Sequence, residues 1–127
     1  MKALLEKFWG NLTEDQSLVN ALLKSGEITP EEAEHHPNKN IVTQSLGVTS
    51  AVEIDFVRMT VKEEDILLLC SDGLSDMLSL EEIRNVLNHY SDLEQQVEKA
   101  VQAANESGGR DNITVAIAKI HLREEEA

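Results

Sequence analysis

The spacing of apolar residues along the chain predicts a mixture of short helices and strands. Helical spacing or helix-capping residues occur in five segments, at residues 1–9, 18–25, 29–36, 79–87 and 92–105. The first segment predicts an N-terminal helix within residues 1–11. Residues rich in Val, Ile or Leu favour strands in four segments, at residues 41–43, 52–61, 66–70 and 113–118. Such a mixture is typical of a small α+β protein.

Charge and cysteine content restrict the partners that we expect. The chain has 127 residues, with 24 Asp plus Glu against 11 Lys plus Arg, and a formal net charge of -13. Such a surface repels phosphate backbones and anionic lipids, so we expect neither nucleic acid nor a membrane as partner. The single cysteine, Cys70, lies in an apolar run and is expected to be buried. We find no membrane-spanning run and no signal peptide, which predicts a cytoplasmic protein.

Two acidic turns lie beside the most apolar segments. Ser71-Asp72-Gly73 follows the run at 66–70, and Gly108-Gly109-Arg110-Asp111-Asn112 precedes the run at 113–118. If these two runs are antiparallel neighbours in one sheet, Asp72 and Asp111 lie at the same sheet edge. Two converging carboxylates suit a hard dication such as Mg²⁺ or Mn²⁺. The alternative is an ordinary turn, because Asp bonds its own backbone and Gly accepts a positive φ.

The same two turns carry a resemblance to a known family. Residues 67–76 (LLLCSDGLSD) and 108–115 (GGRDNITV) resemble the last two motifs of the metal-dependent type 2C Ser/Thr protein phosphatases, in their bacterial branch. Similar stretches occur at residues 12–19, 26–33 and 36–47, in the family's order. The resemblance implies an α+β fold, as a partial version of the family's four-layer α-β-β-α sandwich. Its strands would be antiparallel, would contribute to both sheets, and would have a helical pair between the last two.

The resemblance also implies a chemistry. Family members use a binuclear Mn²⁺ or Mg²⁺ centre to activate a water that hydrolyses phosphoserine or phosphothreonine of a phosphoprotein. By motif match, Asp72 and Asp111 resemble the family's two late metal ligands. Asp76 is expected to be a solvated turn residue or to help hold a further ion. The family's flap region corresponds here to residues 26–50, which include His35, His36 and Gln44. Arg110 is expected to attract phosphate or to form a surface salt bridge.

Several family features are absent from this sequence. A family catalytic domain is about twice as long, and its N-terminal half carries an early acidic residue, a phosphate-binding Arg and an Asp-Gly-x-Gly-Gly motif. Without that motif's bridging Asp, we expect Asp72 and Asp111 to bind Mn²⁺ or Mg²⁺ only weakly, and autonomous activity to be weak or absent. The expected organisation is a non-family helix at residues 1–11, the C-terminal part of a phosphatase domain at 12–122, and a frayed acidic tail at 123–127.

Three functions remain open from the sequence. The chain is the C-terminal portion of a phosphatase, a non-catalytic fragment that binds or regulates a partner, or a fragment with no role of its own. An incomplete sandwich leaves open sheet edges, which favour pairing with other chains. We therefore expect either homo-oligomers or repacking in which four N-terminal residues cover the bare apolar surface: Leu4, Leu5, Phe8 and Trp9.

Overall fold

The computed structural model describes residues 2–5, 10–39 and 41–124. In chain order its elements are β1 (Lys2–Leu5), β2 (Gly10–Asn11), α1 (Leu18–Ser25), α2 (Pro30–Glu34), β3 (Ile66–Cys70), α3 (Asp72–Ser75), α4 (Leu80–His89), α5 (Leu93–Glu106) and β4 (Val115–Lys119). The chain divides into two compact units. One is Glu14–Phe56, and the other is Val57–Ala127 together with Met1–Thr13. The boundaries predicted at residues 11 and 122 are not those of the units and stay a prediction.

The larger unit is built on a four-stranded sheet with strand order β2-β1-β3-β4. All its pairings are antiparallel, and β3 lies between β1 and β4. Cα partners run from Ile66 opposite Lys119 to Cys70 opposite Val115. Alternate residues of β3 are buried, as expected for a strand that packs helices on one face. The apolar run at 66–70 is therefore a buried central strand, as predicted.

The two long helices follow β3 and precede β4, as the sequence predicted. Helix α4 begins with a capping box, in which the Ser79 hydroxyl accepts from the Glu82 amide while the Glu82 carboxylate accepts from the Ser79 amide. Helix α5 is capped by Asp92. The side chain of Gln96, in α5, donates to the backbone oxygens of Leu87 and Tyr90 at 2.9 and 2.7 Å. These bonds satisfy carbonyls near the end of α4 that no helical amide reaches.

The core lies between this helical layer and one face of the sheet. Its buried residues come from β3, from the segments around α3, and from α4 and α5: Ile66, Leu68, Cys70, Leu74, Leu78, Ile83, Leu87, Ala100 and Ala104. Cys70 is buried, as expected. This arrangement is a partial version of the α-β-β-α sandwich, with one helical layer and one sheet. Among the described residues the strands form one sheet, and not two as the resemblance implied.

The smaller unit holds α1 and α2. Ser17 caps α1, and Gly26 ends it in the left-handed conformation at φ 76°. Thr29 and Glu32 form the capping box of α2, and Pro30 is its first residue. The predicted strand at 41–43 is reduced to one bridge between Ser17 and Val42.

Two predicted elements are wrong in the described residues. In the described part of residues 1–11 two strands replace the predicted helix, because Lys2–Leu5 pairs with β3 and Gly10–Asn11 pairs with β1. A run of a few apolar residues fits either element, and the edge of β3 supplies hydrogen bonds that only a strand can use. Phe8 and Trp9 lie outside the described residues, as do the side chains of Leu4 and Leu5, so the predicted repacking stays a prediction.

The second wrong element is the strand predicted over residues 52–61, which have no regular secondary structure. Ile54 is 70% exposed and Phe56 is 90% exposed. The alternation of apolar residues is present there, but no strand of the described chain pairs with the segment. An unpaired strand has unsatisfied backbone groups and no packed face, and it is not stable alone.

Candidate metal site

The two acidic turns lie at the same end of the sheet. Asp72 follows β3 directly after Ser71, and Asp111 precedes β4. Because β3 and β4 are antiparallel, the end of one strand lies beside the start of the other. The last residue pair at this end of the sheet is Cys70 opposite Val115. The prediction that the two strands are antiparallel neighbours in one sheet is confirmed.

Ser71 connects the two turns through its backbone and its side chain. Its amide donates to the Thr114 oxygen at 2.9 Å. Its hydroxyl accepts from the Thr114 amide at 3.0 Å and donates to the Asn112 oxygen at 3.3 Å. Ser71 is also the N-cap of α3, but its hydroxyl makes no capping bond there. Sequence reasoning missed this role, since a serine before Asp-Gly fits an ordinary helix cap equally well.

Gly73 lets the backbone of the second turn lie directly against the first. A Cβ atom at Gly73 would be 2.1 Å from the Asn112 oxygen and 2.9 Å from the Asn112 carbonyl carbon. Any side chain at residue 73 would therefore push the two turns apart. The glycine is required by this close approach and not by a left-handed conformation.

Asp72 precedes Gly73 in the sequence and Asp111 precedes Asn112, so each carboxylate lies next to one partner of this contact. Asp72 is the first residue of the one-turn helix α3, and its side chain is exposed. Asp111 is also exposed, and one of its carboxylate oxygens accepts from the Asn112 amide at 2.7 Å. Within the described ranges, no other His, Cys, Asp or Glu side chain lies close enough to both carboxylates to form a three-residue metal site with them. The site as described offers two oxygen-donor side chains.

The other residues singled out from the sequence lie elsewhere or are on the surface. Asp76 is the exposed C-cap of α3, and its amide donates to the Asp72 oxygen at 2.8 Å. Arg110 is exposed beside Asp111. His35 is the C-cap of α2, and the Nδ1 atom of His36 accepts from the Asn38 amide at 3.1 Å. The two histidines are thus helix-end residues.

Gln44 has a structural role in the smaller unit. Its side-chain amide donates to Gln16 at 3.0 Å, and its side-chain oxygen accepts from the Glu53 amide at 2.8 Å. Gln16 in turn donates to Asp55 at 2.7 Å. This chain of bonds connects the start of α1 with the irregular segment after residue 43. The flap role that the resemblance implied for these residues stays a prediction.

A second cluster with metal-ligating groups lies at the opposite end of β3 and β4. Ligand atoms of Glu63, Glu64 and His121 lie within 4.8 Å of one another, and all three residues are exposed. The Leu122 amide donates to Glu63 at 2.5 Å, and this bond, followed by that with His121, holds the pKa of Glu63 below its usual value. Lys119 pairs with Glu64. These hydrogen bonds and ion pairs connect the segment after β4 to the turn before β3.

Related proteins and solved structures that resemble this chain agree on one family, although no family model matches the chain. The protein phosphatase PhpP of Streptococcus pneumoniae is 49% identical over 116 residues, which are 91% of this chain and 46% of that protein. The Ser/Thr phosphatase Stp of Listeria welshimeri is 43% identical over 87% of this chain. Over most of its length, this chain is similar to about half of each of these type 2C Ser/Thr protein phosphatases. The predicted resemblance to the C-terminal portion of the bacterial members is confirmed.

Solved structures of this family share the fold. The Ser/Thr phosphatase of S. agalactiae superimposes with a TM-score of 0.85 at 43% identity, covering 91% of this chain and 49% of that one. The catalytic domain of PstP, solved in complex with two manganese ions, gives a TM-score of 0.79 at 31% identity. The chain spans about half the length of the type 2C relatives that it matches. The described part thus retains the fold of one portion of a type 2C domain.

Proposed function

We propose that this chain is the metal-binding C-terminal portion of a cytoplasmic type 2C Ser/Thr protein phosphatase, whose intact domain hydrolyses phosphoserine or phosphothreonine of phosphoproteins. In this proposal Asp72 and Asp111 bind a divalent ion, Mn²⁺ or Mg²⁺. The observation that carries it is the contact between the two turns, where the Asn112 oxygen lies so close to Gly73 that a Cβ there would be 2.1 Å away. The complex of PstP with two manganese ions supports the choice of metal.

The residues present fit such an ion. Both side chains are carboxylates, the hard oxygen donors that Mg²⁺ and Mn²⁺ prefer. Mg²⁺ needs only one or two protein carboxylates and keeps several waters, so two exposed side chains suffice for a weak site. Ser71 and Gly73 fix the turns against each other, and the Asn112 amide orients the Asp111 carboxylate. Preorganised ligands lower the conformational cost of binding.

Catalysis requires more than these two carboxylates. A bound divalent ion supplies Lewis acidity at a phosphate and acidifies water at neutral pH. The chain's own residues position the two turns, but the bridging Asp and the phosphate-binding Arg that the family resemblance implies are absent from the sequence. We therefore propose that the chain binds metal and turns over phosphate esters little or not at all by itself.

Metal binding is tested with Mn²⁺ itself, as a paramagnetic probe. Titrated into ¹⁵N-labelled protein, Mn²⁺ should first broaden the amide signals of residues 71–74 and 110–114. Asp72→Asn and Asp111→Asn should each weaken this binding by about tenfold or more, because each removes one of two charged ligands. Glu63→Gln is the control, since it removes a carboxylate from the cluster at the other end of the sheet. Broadening centred on Glu63, Glu64 and His121 would overturn the proposed site.

Activity is tested by hydrolysis of a phosphate ester with Mn²⁺ present, and negligible turnover is expected. Turnover in the ordinary enzyme range, about 1–1,000 s⁻¹, that Asp72→Asn abolishes would contradict the non-catalytic part of the proposal.

A further inference from the structure

A cluster of three side chains lies at the end of β3 and β4 opposite the acidic turns. Ligand atoms of Glu63, Glu64 and His121 lie within 4.8 Å of one another. Among the described residues this is the one group of three His, Cys, Asp or Glu side chains that could hold a metal ion. We call these three residues the Glu-His cluster. It combines an imidazole with two carboxylates, whereas the proposed site at the acidic turns offers carboxylates alone.

The distances within the Glu-His cluster fit a tetrahedral metal ion. The Nδ1 atom of His121 lies 3.1 Å from Oε1 of Glu63 and 3.7 Å from Oε1 of Glu64. Zn²⁺ binds imidazole nitrogen and carboxylate oxygen at about 2.0–2.2 Å in a tetrahedral arrangement, which places neighbouring ligand atoms about 3.4 Å apart. The imidazole is therefore already at tetrahedral spacing from both carboxylates.

The second oxygen of each carboxylate has a partner of its own. Oε2 of Glu63 accepts from the Leu122 amide at 2.5 Å. Oε2 of Glu64 pairs with the Lys119 ammonium. These contacts leave Oε1 of each carboxylate beside the imidazole. Outer partners of this kind orient the carboxylates that bind metals in proteins.

Backbone hydrogen bonds already join the two segments that carry the cluster. The Glu64 amide donates to the Ile120 oxygen at 2.9 Å, and the Ile120 amide donates to the Asp65 oxygen at 2.8 Å. Glu63 and His121 are 58 residues apart in the sequence, so the fold and not the local chain brings them together. Since the segments are held in place, binding an ion between them costs little conformational freedom.

The composition of the Glu-His cluster favours a transition metal over Mg²⁺. Imidazole suits Zn²⁺, Cu²⁺ and Ni²⁺, whereas Mg²⁺ and Mn²⁺ prefer the oxygens of carboxylates, carbonyls and water. A given site also binds Zn²⁺ more tightly than Mn²⁺. Two adjacent carboxylates have one ammonium partner, Lys119, and a dication would offset their remaining repulsion. The cluster and the acidic turns therefore differ in the ion that they select.

We propose that Glu63, Glu64 and His121 form a second metal site, which binds Zn²⁺ through one imidazole nitrogen and two carboxylate oxygens and keeps one position for water. The bound ion joins the turn before β3 to the segment after β4. Because the three ligands meet only in the folded chain, Zn²⁺ stabilises the fold. This inference goes beyond the proposed function and does not rest on it, since it uses neither Asp72 nor Asp111.

Zn²⁺ titrated into the ¹⁵N-labelled 127-residue chain tests this site, with excess Mg²⁺ present to fill sites made of carboxylates alone. The first signals to shift should be the amides of residues 63–65 and 120–122 and the imidazole nitrogens of His121. First shifts at His35 and His36, the adjacent histidines at the end of α2, would overturn the proposal.

Variants of the ligands measure what each contributes. His121→Asn, Glu63→Gln and Glu64→Gln should each weaken Zn²⁺ binding by about tenfold or more, since the loss of an outer partner alone costs that much. His89→Asn, at another exposed histidine of the larger unit, is the matched control and should leave the affinity unchanged. Equal affinity in His121→Asn and the unmodified chain would contradict the site.

A second measurement uses the stability of the chain. Zn²⁺ should raise the urea midpoint of the unmodified chain and of His89→Asn, and should leave that of His121→Asn unchanged. Far-UV circular dichroism in the absence of Zn²⁺ checks that each variant is folded. A rise of the same size in all three proteins would show that Zn²⁺ acts elsewhere and would overturn the proposal.

Failure of this inference is distinguishable from failure of the proposed function. A chain that binds Mn²⁺ at Asp72 and Asp111, and whose Glu-His cluster signals do not respond to Zn²⁺, contradicts only the second site. A chain that binds Zn²⁺ at the cluster, and whose acidic turns bind no Mn²⁺, contradicts only the proposed function.

Discussion

Residues 66–70 form a continuous apolar run and residues 52–61 nearly alternate apolar with polar residues, so both are suited to a strand, yet they lie in opposite environments. In β3, Leu68 is fully buried at 0% exposure, between two neighbouring strands and above the helices. In the other segment, Phe56 is 90% exposed and the backbone has no regular structure.

The difference between the two segments is the availability of partners. β3 has a strand on each side, β1 and β4, and a helical layer against one face. No strand of the described residues pairs with 52–61. Strand propensity is largely a preference for a packed, pleated surface, so the same residue types form a strand only where that surface exists.

Truncating one large side chain in each segment is the sharpest way to break this comparison. Leu68→Ala should lower the free energy of unfolding by about 2–5 kcal/mol, because it leaves a cavity in the core. Phe56→Ala should change it by less than about 0.5 kcal/mol, as at other exposed positions. Urea denaturation followed by far-UV circular dichroism measures both. Equal losses in the two variants would show that residues 52–61 are packed after all.

The contact between the acidic turns predicts a smaller effect. Gly73→Ala should lower the free energy of unfolding by about 1–3 kcal/mol, because the added methyl overlaps a backbone oxygen that no rotamer change can move. The amide signals of Ser71 and of residues 111–114 should shift as the turns separate.

Gly26→Ala is the control for that prediction. Its Cβ meets nothing within 4 Å, but its φ of 76° makes the variant strained by about 1–2 kcal/mol. A similar loss of stability is therefore expected without any shift at residues 111–114. If Gly73→Ala also left those signals unchanged, the close approach of Asn112 would be contradicted.

The capping box of α4 predicts the smallest effect, as a dependence on pH. The Ser79 amide donates to Glu82, and this bond, followed by that with the Ser79 hydroxyl, holds the pKa of Glu82 below its usual 4.5. A carboxyl with a lowered folded-state pKa stabilises the protein above the unfolded pKa, and this contribution is lost as the pH falls through the folded pKa. Glu82→Gln should thus be less stable than the unmodified chain at pH 7, and the difference should shrink below pH 4.5.

Urea midpoints between pH 2.5 and 7 measure this difference. Glu81→Gln removes the same charge from the neighbouring residue and leaves the bonds between Ser79 and Glu82 intact, so it serves as the control. A difference for Glu82→Gln that is the same at every pH would show that the ionised carboxylate does not cap α4.

The candidate site was partly predictable from the sequence. The two acidic turns follow from the sequence motifs, whereas the antiparallel pairing of the two apolar runs beside them is a hypothesis that the strand register confirms. The hydrogen bonds of Ser71 and the close approach of Asn112 to Gly73 could not be predicted, since each joins residues about forty positions apart. Local patterns identify residue types at a turn, but the partner that each atom contacts across the sheet depends on strand register.

Where the interactions are local, the sequence by itself determined the structure. The starts of α2 and α4 follow from capping boxes in which both partners lie three residues apart, at Thr29 with Glu32 and at Ser79 with Glu82. Only the tertiary structure decided that Lys2–Leu5 is a strand and that residues 52–61 are not. The reason is that a strand is stabilised by hydrogen bonds and packing from distant residues, and β3 offers an edge to Lys2–Leu5 while residues 52–61 have no such neighbour.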